Sequence, residues 1–418
     1  MVNSAILAMV MIPVLAPASS DWPRWRGPTG DGHIPRTEAV LRTLLAEPRV
    51  AWKAPAGHGS GSAVVSRGCV YYLDNRDDKE VLCAVRSSDG KALWAVPIDE
   101  VYADSGSPPG PRGTPTVDGE RVYVGSCRGE FRCLKVADGS VVWRTSFVQN
   151  FGAPPPVEVG DNPGAKRHGY TASPLIVGNR LYVTVGGTPD AAVVCFEKTT
   201  GEVLWRSQDD IAGHAGPVLA AIAGVRQLVC FMAEAVLGLS PEDGRLLWRL
   251  PVRSTLGRHV TTPVIVGDTV VIGSHTSGLI GIRVSRSAAG LEAKQAWRDA
   301  SLGVDFSSPV ARDGYVYCIG PGGRLFCVDA RSGARAWVQD GFFRGMLDAG
   351  FASFLVAGAN LLILAERGDL LLVRASNKEC TILARTKACG RTWCTPAYSG
   401  GRLFVRANTE LVCVEVLR

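Results

Sequence analysis

The chain has 418 residues, 46% hydrophobic and 20% charged and without a low-complexity tract, a composition that supports a buried core and excludes disorder over most of its length. Its net charge of +6 is carried by scattered Lys and Arg, which excludes the concentrated basic footprint of a nucleic-acid groove. Forty-eight Gly, 25 Pro and short apolar runs rich in Val, Leu and Tyr predict an all-β protein, and a repeat array of that kind accommodates the length as one unit.

From the N-terminus, residues 1–18 carry no charged side chain, run apolar from Ala5 to Leu15 and end in Ala16-Pro17-Ala18, a small-residue cleavage pattern. This predicts a signal peptide over 1–18 and a periplasmic or secreted protein. An uncleaved anchor competes with that reading, but Pro13 and Pro17 interrupt the run and it is short for a span of about 20 residues. No integral span is expected once the signal is removed. Residues 19–49, with Trp22 and Trp25, are expected to dock on the surface of the remainder as an N-terminal segment, the competing reading making these indoles anchors for a partner. Arg49-Val50-Ala51-Trp52-Lys53 follows as a lone strand with its own Trp.

Beyond it a phrase recurs in which Gly is followed four residues later by Trp: Gly90/Trp94, Gly139/Trp143, Gly201/Trp205, Gly244/Trp248 and Gly333/Trp337. With 48 Gly and 10 Trp in 418 residues, chance supplies about one such pair, so the chain is built from repeats. Val122-Tyr123-Val124 through Cys133 to Asp138-Gly139 and Trp143 parallels Val316-Tyr317-Cys318 through Cys327 to Ser332-Gly333 and Trp337. Each phrase holds three strands separated by Gly turns, and upstream lies a further strand opened by a small residue and Pro, as at Thr114-Pro115, Thr262-Pro263 and Ser308-Pro309. Four strands in 40-odd residues predict a propeller blade.

Between Trp143 and Thr171 the third unit carries an insertion with Ala153-Pro154-Pro155-Pro156 and Lys166-Arg167-His168, which reads as a binding edge or as a solvated loop. Around Trp297 the turn is lengthened. In the seventh unit Asn377 and Thr381 stand in the Gly and Trp places, with Asn expected to keep the left-handed turn. The last unit reaches Val412-Cys413-Val414, but Arg418 comes where its fourth strand is due. The strand around Trp52 supplies that missing piece, so the prediction is an eight-bladed propeller over residues 50–418, made of four-stranded antiparallel blades and closed by pairing the N-terminal strand with the C-terminal blade.

These repeats resemble the pyrroloquinoline-quinone-type propeller repeat, whose blades end in a Gly-x-x-x-Trp docking motif. Asp21-Trp22-Pro23-Arg24-Trp25-Arg26-Gly27-Pro28 is similar to the start of secreted bacterial members of that superfamily. The resemblance runs from Trp22 to Arg418 and implies fold more firmly than function. The superfamily includes quinone-dependent alcohol and sugar dehydrogenases, for which pyrroloquinoline quinone with calcium would be the cofactor. It also includes the cofactor-free propeller lipoprotein of the outer-membrane barrel-assembly machine. Against the dehydrogenases, no adjacent Cys pair and no ordered Glu, Asn and Asp set for calcium is found here. The assembly lipoprotein is expected to match poorly too, since no cysteine follows the leader.

Twelve cysteines in an exported chain suggest disulfides, yet Cys133, Cys195, Cys327 and Cys413 recur at one place in the third strand, with Cys83 expected to join them. Recurrence at one place predicts a small apolar packing position, and no C-x-x-C spacing offers a zinc site. One bridge is expected as feasible: a two-residue turn at Gly322-Gly323 would put Cys318 opposite Cys327.

Just before the innermost strands of successive blades stand Arg112, His168 with Tyr170, His214, His259, Asp305 and Trp393, and His58 holds a similar place in the first. In a propeller that phase rings one mouth of the central channel, where titratable and aromatic groups could hold a carboxylate, a sugar, a metal or a quinone. The bland alternative is a set of polar loop residues that solvate the mouth. No Ser-His-Asp order, phosphate-binding Gly loop or H-E-x-x-H motif occurs. The favoured expectation is an exported scaffold that binds a protein, envelope or small-molecule ligand at one face of the channel, with no cofactor established. The alternative is a pyrroloquinoline-quinone-dependent oxidoreductase.

Overall fold

The computed structural model describes residues 21–35, 43–104, 109–157 and 162–416; the leader expected over 1–18 lies outside them. Eight four-stranded antiparallel sheets form the ring. Seven are continuous in sequence, at residues 64–100, 116–146, 175–207, 218–251, 264–299, 310–339 and 352–387. The eighth joins residues 397–415 to the strand Arg49–Pro55, with Trp52 opposite Cys413. The ring is thus closed as the orphan Trp52 predicted. Among the described residues no helix is long and apolar enough to cross a membrane.

Pattern and position within the blade agree. The second and third strands, such as Arg121–Gly125 and Glu130–Lys135, bury nearly every residue because blades stack face to face on both sides of them. The fourth strand, such as Val141–Ser146, lies at the rim and is half exposed. Most first strands are three residues long, for example Val64–Ser66 and Thr116–Asp118, and they converge on the axis.

The Gly-x-x-x-Trp phrase works between blades rather than within one. Gly90, Gly139, Gly201, Gly244 and Gly333 each lie against the indole of the preceding blade, Trp52, Trp94, Trp143, Trp205 and Trp297 respectively. At Gly201 φ is +76°, and a Cβ would sit 2.6 Å from Trp143 Cδ2, so both conformation and space require glycine. Each of these indoles also donates its Nε1–H to a carbonyl three residues before that glycine; Trp143 to Lys198 is 2.9 Å. Trp248 is the exception, bonding to Gln227 of its own blade, because the next blade carries the lengthened hairpin Gly278–Ser287 to Gly290–Asp299.

Opposite the rim indoles stand Cys133, Cys195, Cys327 and Cys413 in four blades, Gly238 and Gly281 in two, and Ala84 facing Trp94. The indole lies across this place, so only a small side chain fits. Cys83 is one residue out of phase, opposite Ala95, and does not belong to the set. All twelve cysteines are free. The bridge considered between Cys318 and Cys327 is excluded by register: the turn has three residues, Pro321–Gly323, so Cys318 faces Phe326 and Cys327 faces Tyr317. A one-residue slip sends the two thiols to opposite faces of the blade. Asn377 does not adopt the left-handed conformation expected of it, yet the Ser376 carbonyl before it still receives the Trp337 indole N–H.

Residues 21–35 run across the inner strands rather than over the outer surface. Trp22 exchanges two backbone hydrogen bonds with Val65, of 2.8 and 2.9 Å, Pro23 accepts from Val117 N–H, Arg26 reaches the Pro309 carbonyl, and Gly32 and Ile34 pair with Val356. These contacts reach the inner strands of four blades, so the segment crosses the ring near its axis.

Candidate ligand site at the channel mouth

The connections entering the inner strands converge on a central cavity of about 200 Å³. Every blade lends it a side chain, and Trp25, held by a 3.0 Å bond from its indole N–H to Thr262 Oγ1, reaches it from the N-terminal segment. Of the residues expected at the mouth, Arg112, His168, His214 and Trp393 line this cavity. Tyr170, His259 and Asp305 share the phase but not the wall. Tyr170 is buried edge-on against Phe147, with its hydroxyl on the Pro154 carbonyl at 2.6 Å, where it pins the insertion. His259 is fully buried behind the wall, its ring 4.1 Å from that of Phe231. Asp305 is exposed, and its neighbour Phe306 faces the cavity instead. His58 is exposed as well, and Ser60 lines the cavity for that blade.

The insertion delivers His168. A short helix, Ala165–His168, ends at Gly169, whose φ of +80° turns the chain against Cys127 so closely that a Cβ would lie 2.7 Å from the Cys127 carbonyl oxygen. His168 Nδ1 then meets Asp104 Oδ2 at 3.2 Å, while Arg112 Nη1 bonds the same oxygen at 2.7 Å and the His168 carbonyl at 2.7 Å. A carboxylate only accepts, so the hydrogen sits on His168 Nδ1. Asp104, with a side chain 2% exposed, offsets Arg112 locally. His214 lies next, its ring centroid 5.7 Å from that of His168 and its Nδ1 3.0 Å from Thr171 Oγ1. Burial, followed by the nearby His168 and Arg112, depresses the His214 pKa to about 3; burial likewise takes His259 to about 4. Both are neutral imidazoles at neutral pH. A base as weak as His214 does little to activate the Thr171 hydroxyl beside it, so the pair does not make a nucleophile site.

The opposite wall is aromatic. Phe306 stacks on Trp393 at 5.2 Å, and Phe351 lies 6.3 Å from Trp393. The indole is aimed by Glu366, which accepts its N–H at 2.8 Å. Burial raises the Glu366 pKa, but bonds from Trp393, the Ala349 and Asp348 amides and Arg391 outweigh it and hold the carboxyl down at about 2. Arg258 lies over the Phe306 face at 5.4 Å and has no ion-pair partner among the described residues.

Asp104, Arg258, Phe306, Phe351 and Trp25 were not expected from sequence. Asp104 sits in a connection outside the repeat phase, and Phe306 and Phe351 read as ordinary core residues. A calcium-bound quinone would need several oxygen donors, yet Asp104 is the only acid on the wall among the described residues. Among the described residues no three His, Cys, Asp or Glu side chains gather as a cation's ligands. The side chains present do not fit that group.

Comparison with known proteins decides the family. The family described as outer membrane protein assembly factor BamB matches residues 77–339, more than half of the chain. The chain belongs to this family. The BamB match rests on the repeats and not on the leader, so it overturns the expectation, drawn from a missing cysteine, that this branch would match poorly. The BamB of Yersinia pestis is 22% identical over 303 residues, covering 70% of each chain. That of Escherichia coli K12 is 30% identical over 105 residues, or 23% of this chain and 26% of its own. Among solved structures, quinohemoprotein alcohol dehydrogenase from Comamonas testosteroni superposes with a TM-score of 0.65 at 13% identity, covering 95% of this chain and 80% of its own. That likeness concerns the fold alone. Together these findings mark the chain as a pyrroloquinoline-quinone-like propeller repeat protein.

Proposed function

We propose that this protein is a non-catalytic scaffold of the outer-membrane assembly type, exported to the periplasm, that holds a protein or small-molecule ligand at the channel mouth. Membership in the BamB family supports the scaffold role. The observation that carries the mouth is convergence: Ser60, Arg112, His214, Arg258, Phe306 and Trp393 come from six different blades yet line one cavity, which only a closed ring can assemble. The weak bases and, among the described residues, the single acid on the wall favour holding over turnover.

A photo-crosslinking residue at Ser60 on the cavity wall, and separately at Leu204 on the exposed rim, tests the reading in the purified full chain mixed with envelope extract. Adducts are expected from position 60 and not from 204; equal labelling from both, or none from 60, overturns the assignment of the mouth. Quinone-dependent oxidation, the alternative expected from sequence, is disfavoured by the donors on the wall. Dye-linked alcohol or sugar oxidation on addition of pyrroloquinoline quinone and Ca²⁺ would establish it and end the scaffold reading.

A further inference from the structure

We infer that the mouth takes a small organic monoanion, a carboxylate carried on a flat apolar body, with the carboxylate on Arg258 and the body on the Phe306–Trp393–Phe351 wall. This deepens the assignment of the mouth as the ligand site and rests on it.

Charge on the wall sets the sign. Among the described residues two guanidinium groups, Arg112 and Arg258, face the cavity against one acid. That acid, Asp104, is 2.7 Å from Arg112 and also receives His168, so this trio is internally matched. His214, pressed neutral by its burial, adds no charge at neutral pH. The surplus is one positive charge, on Arg258. Its guanidinium lies over the Phe306 ring, with no carboxylate among the described residues within ion-pair distance of it. A stacked guanidinium keeps its edge of N–H donors free for a planar two-oxygen acceptor, the geometry of a carboxylate. Matching one net cation favours a monoanion, because a second negative charge would be desolvated without a partner.

Shape comes from the aromatic side. Phe306 and Trp393 are stacked with an interplanar angle of 29°, and Phe351 and Trp393 with 22°, so the three rings form one apolar series along this wall. Glu366 removes the only polar atom of that series by taking the Trp393 indole N–H. The rings are rigid before a ligand arrives, because the Glu366 carboxylate also accepts the Asp348, Ala349 and Gly350 amides at 2.7 to 3.1 Å and so fixes the loop beside Phe351. A flat body stacked there would extend the aromatic series, with its acid group directed to the Arg258 edge of the wall.

The test uses 2-naphthoate as probe on the full chain, with 2-naphthylmethanol as its uncharged counterpart, followed by calorimetry and tryptophan fluorescence. Naphthoate is expected to bind at least about tenfold more tightly than the alcohol, with the difference shrinking at high salt. Arg258→Gln should abolish the preference, Arg258→Lys should restore part of it, and Phe306→Ala should weaken both probes alike. Circular dichroism confirms that each variant is folded, and Arg258 is only half-buried. Equal binding of the two probes, no binding of either, or a preference that survives Arg258→Gln overturns the inference. The crosslinking from position 60 is read independently, with Arg258 intact, so a mouth that labels a partner but ignores naphthoate retains the site and loses only the ligand class.

Discussion

At the rim, five interfaces set the same glycine under the same indole and send the same N–H to an equivalent carbonyl. At the mouth, equivalent phases of the same repeats hold Ser60, Arg112, His214, Arg258, Phe306 and Trp393, chemically unlike one another. The rim solves one packing problem repeatedly, since every blade must bury its face against the next, and a repeated problem draws a repeated answer. The mouth faces a channel instead of a neighbouring blade, so each position there is free to differ. Where the repeat decays, the demands of stacking have given way to something else, and here that place is a cavity.

Removing the closure should have the largest effect on this contrast. A chain lacking residues 21–55 loses both the segment that crosses the ring and the partner of the strand Glu410–Glu415. It is expected to associate through open edges and to lose a single cooperative transition by size-exclusion chromatography and thermal melting. A monomer with the parent melting curve would show that the ring holds without its seal.

The next effect sharpens rim against mouth directly. Trp143→Ala removes an indole packed on Gly201, Phe131 and Phe196 and is expected to cost about 3–5 kcal/mol in urea denaturation. Arg258→Ala at the mouth is expected to stay within about 0.5 kcal/mol. Comparable losses at the two sites would erase the division between packing and binding positions.

Acid should then reveal the mouth through its histidines. The pKa values of His214 and His259 fall from an ordinary 6.5 to about 3 and about 4 on folding. The unfolded chain therefore binds more protons below pH 6.5, and stability declines as pH drops from about 6.5 toward 3. His214→Gln should flatten that decline in denaturation midpoints measured across the range; an unchanged slope would mean His214 is not held neutral. The smallest effect belongs to the cysteine places. Cys133→Ala is expected to cost about 1 kcal/mol or less, whereas Cys133→Leu, crowding Trp143, should cost about 1–3 kcal/mol by the same measurement.

The ring was legible in the sequence because its contacts are periodic. Glycine and Trp four residues apart marked the blades, and a Trp with no blade of its own, Trp52, revealed the seal. What escaped was set by single-residue register or by contacts remote in sequence. One extra residue in the turn at Pro321–Gly323 separated Cys318 from Cys327, and Cys83 stands seven residues before Gly90 where Cys133, Cys195 and Cys327 stand six before their glycines. At the mouth the phase was readable but the facing was not. Asp305 and Phe306 are neighbours, and only the course of their loop decides which one meets the cavity. Asp104, which ties Arg112 to His168, lies 64 residues from His168 and carries no periodic mark. The path of residues 21–35 across the ring depends on inner strands spread from Val65 to Val356, which no local pattern announces.

The seal at Arg49–Pro55 also orders events in time. Arg49 pairs with Glu415, so the first strand of the ring to be synthesised waits for the last, a separation of 366 residues. Until that moment seven blades can stack in sequence, each needing only its neighbour, while the chain remains an open arc with both of its edges unpaired. An arc of this kind can be threaded and handed over piecewise, and it becomes a single cooperative body in one late step.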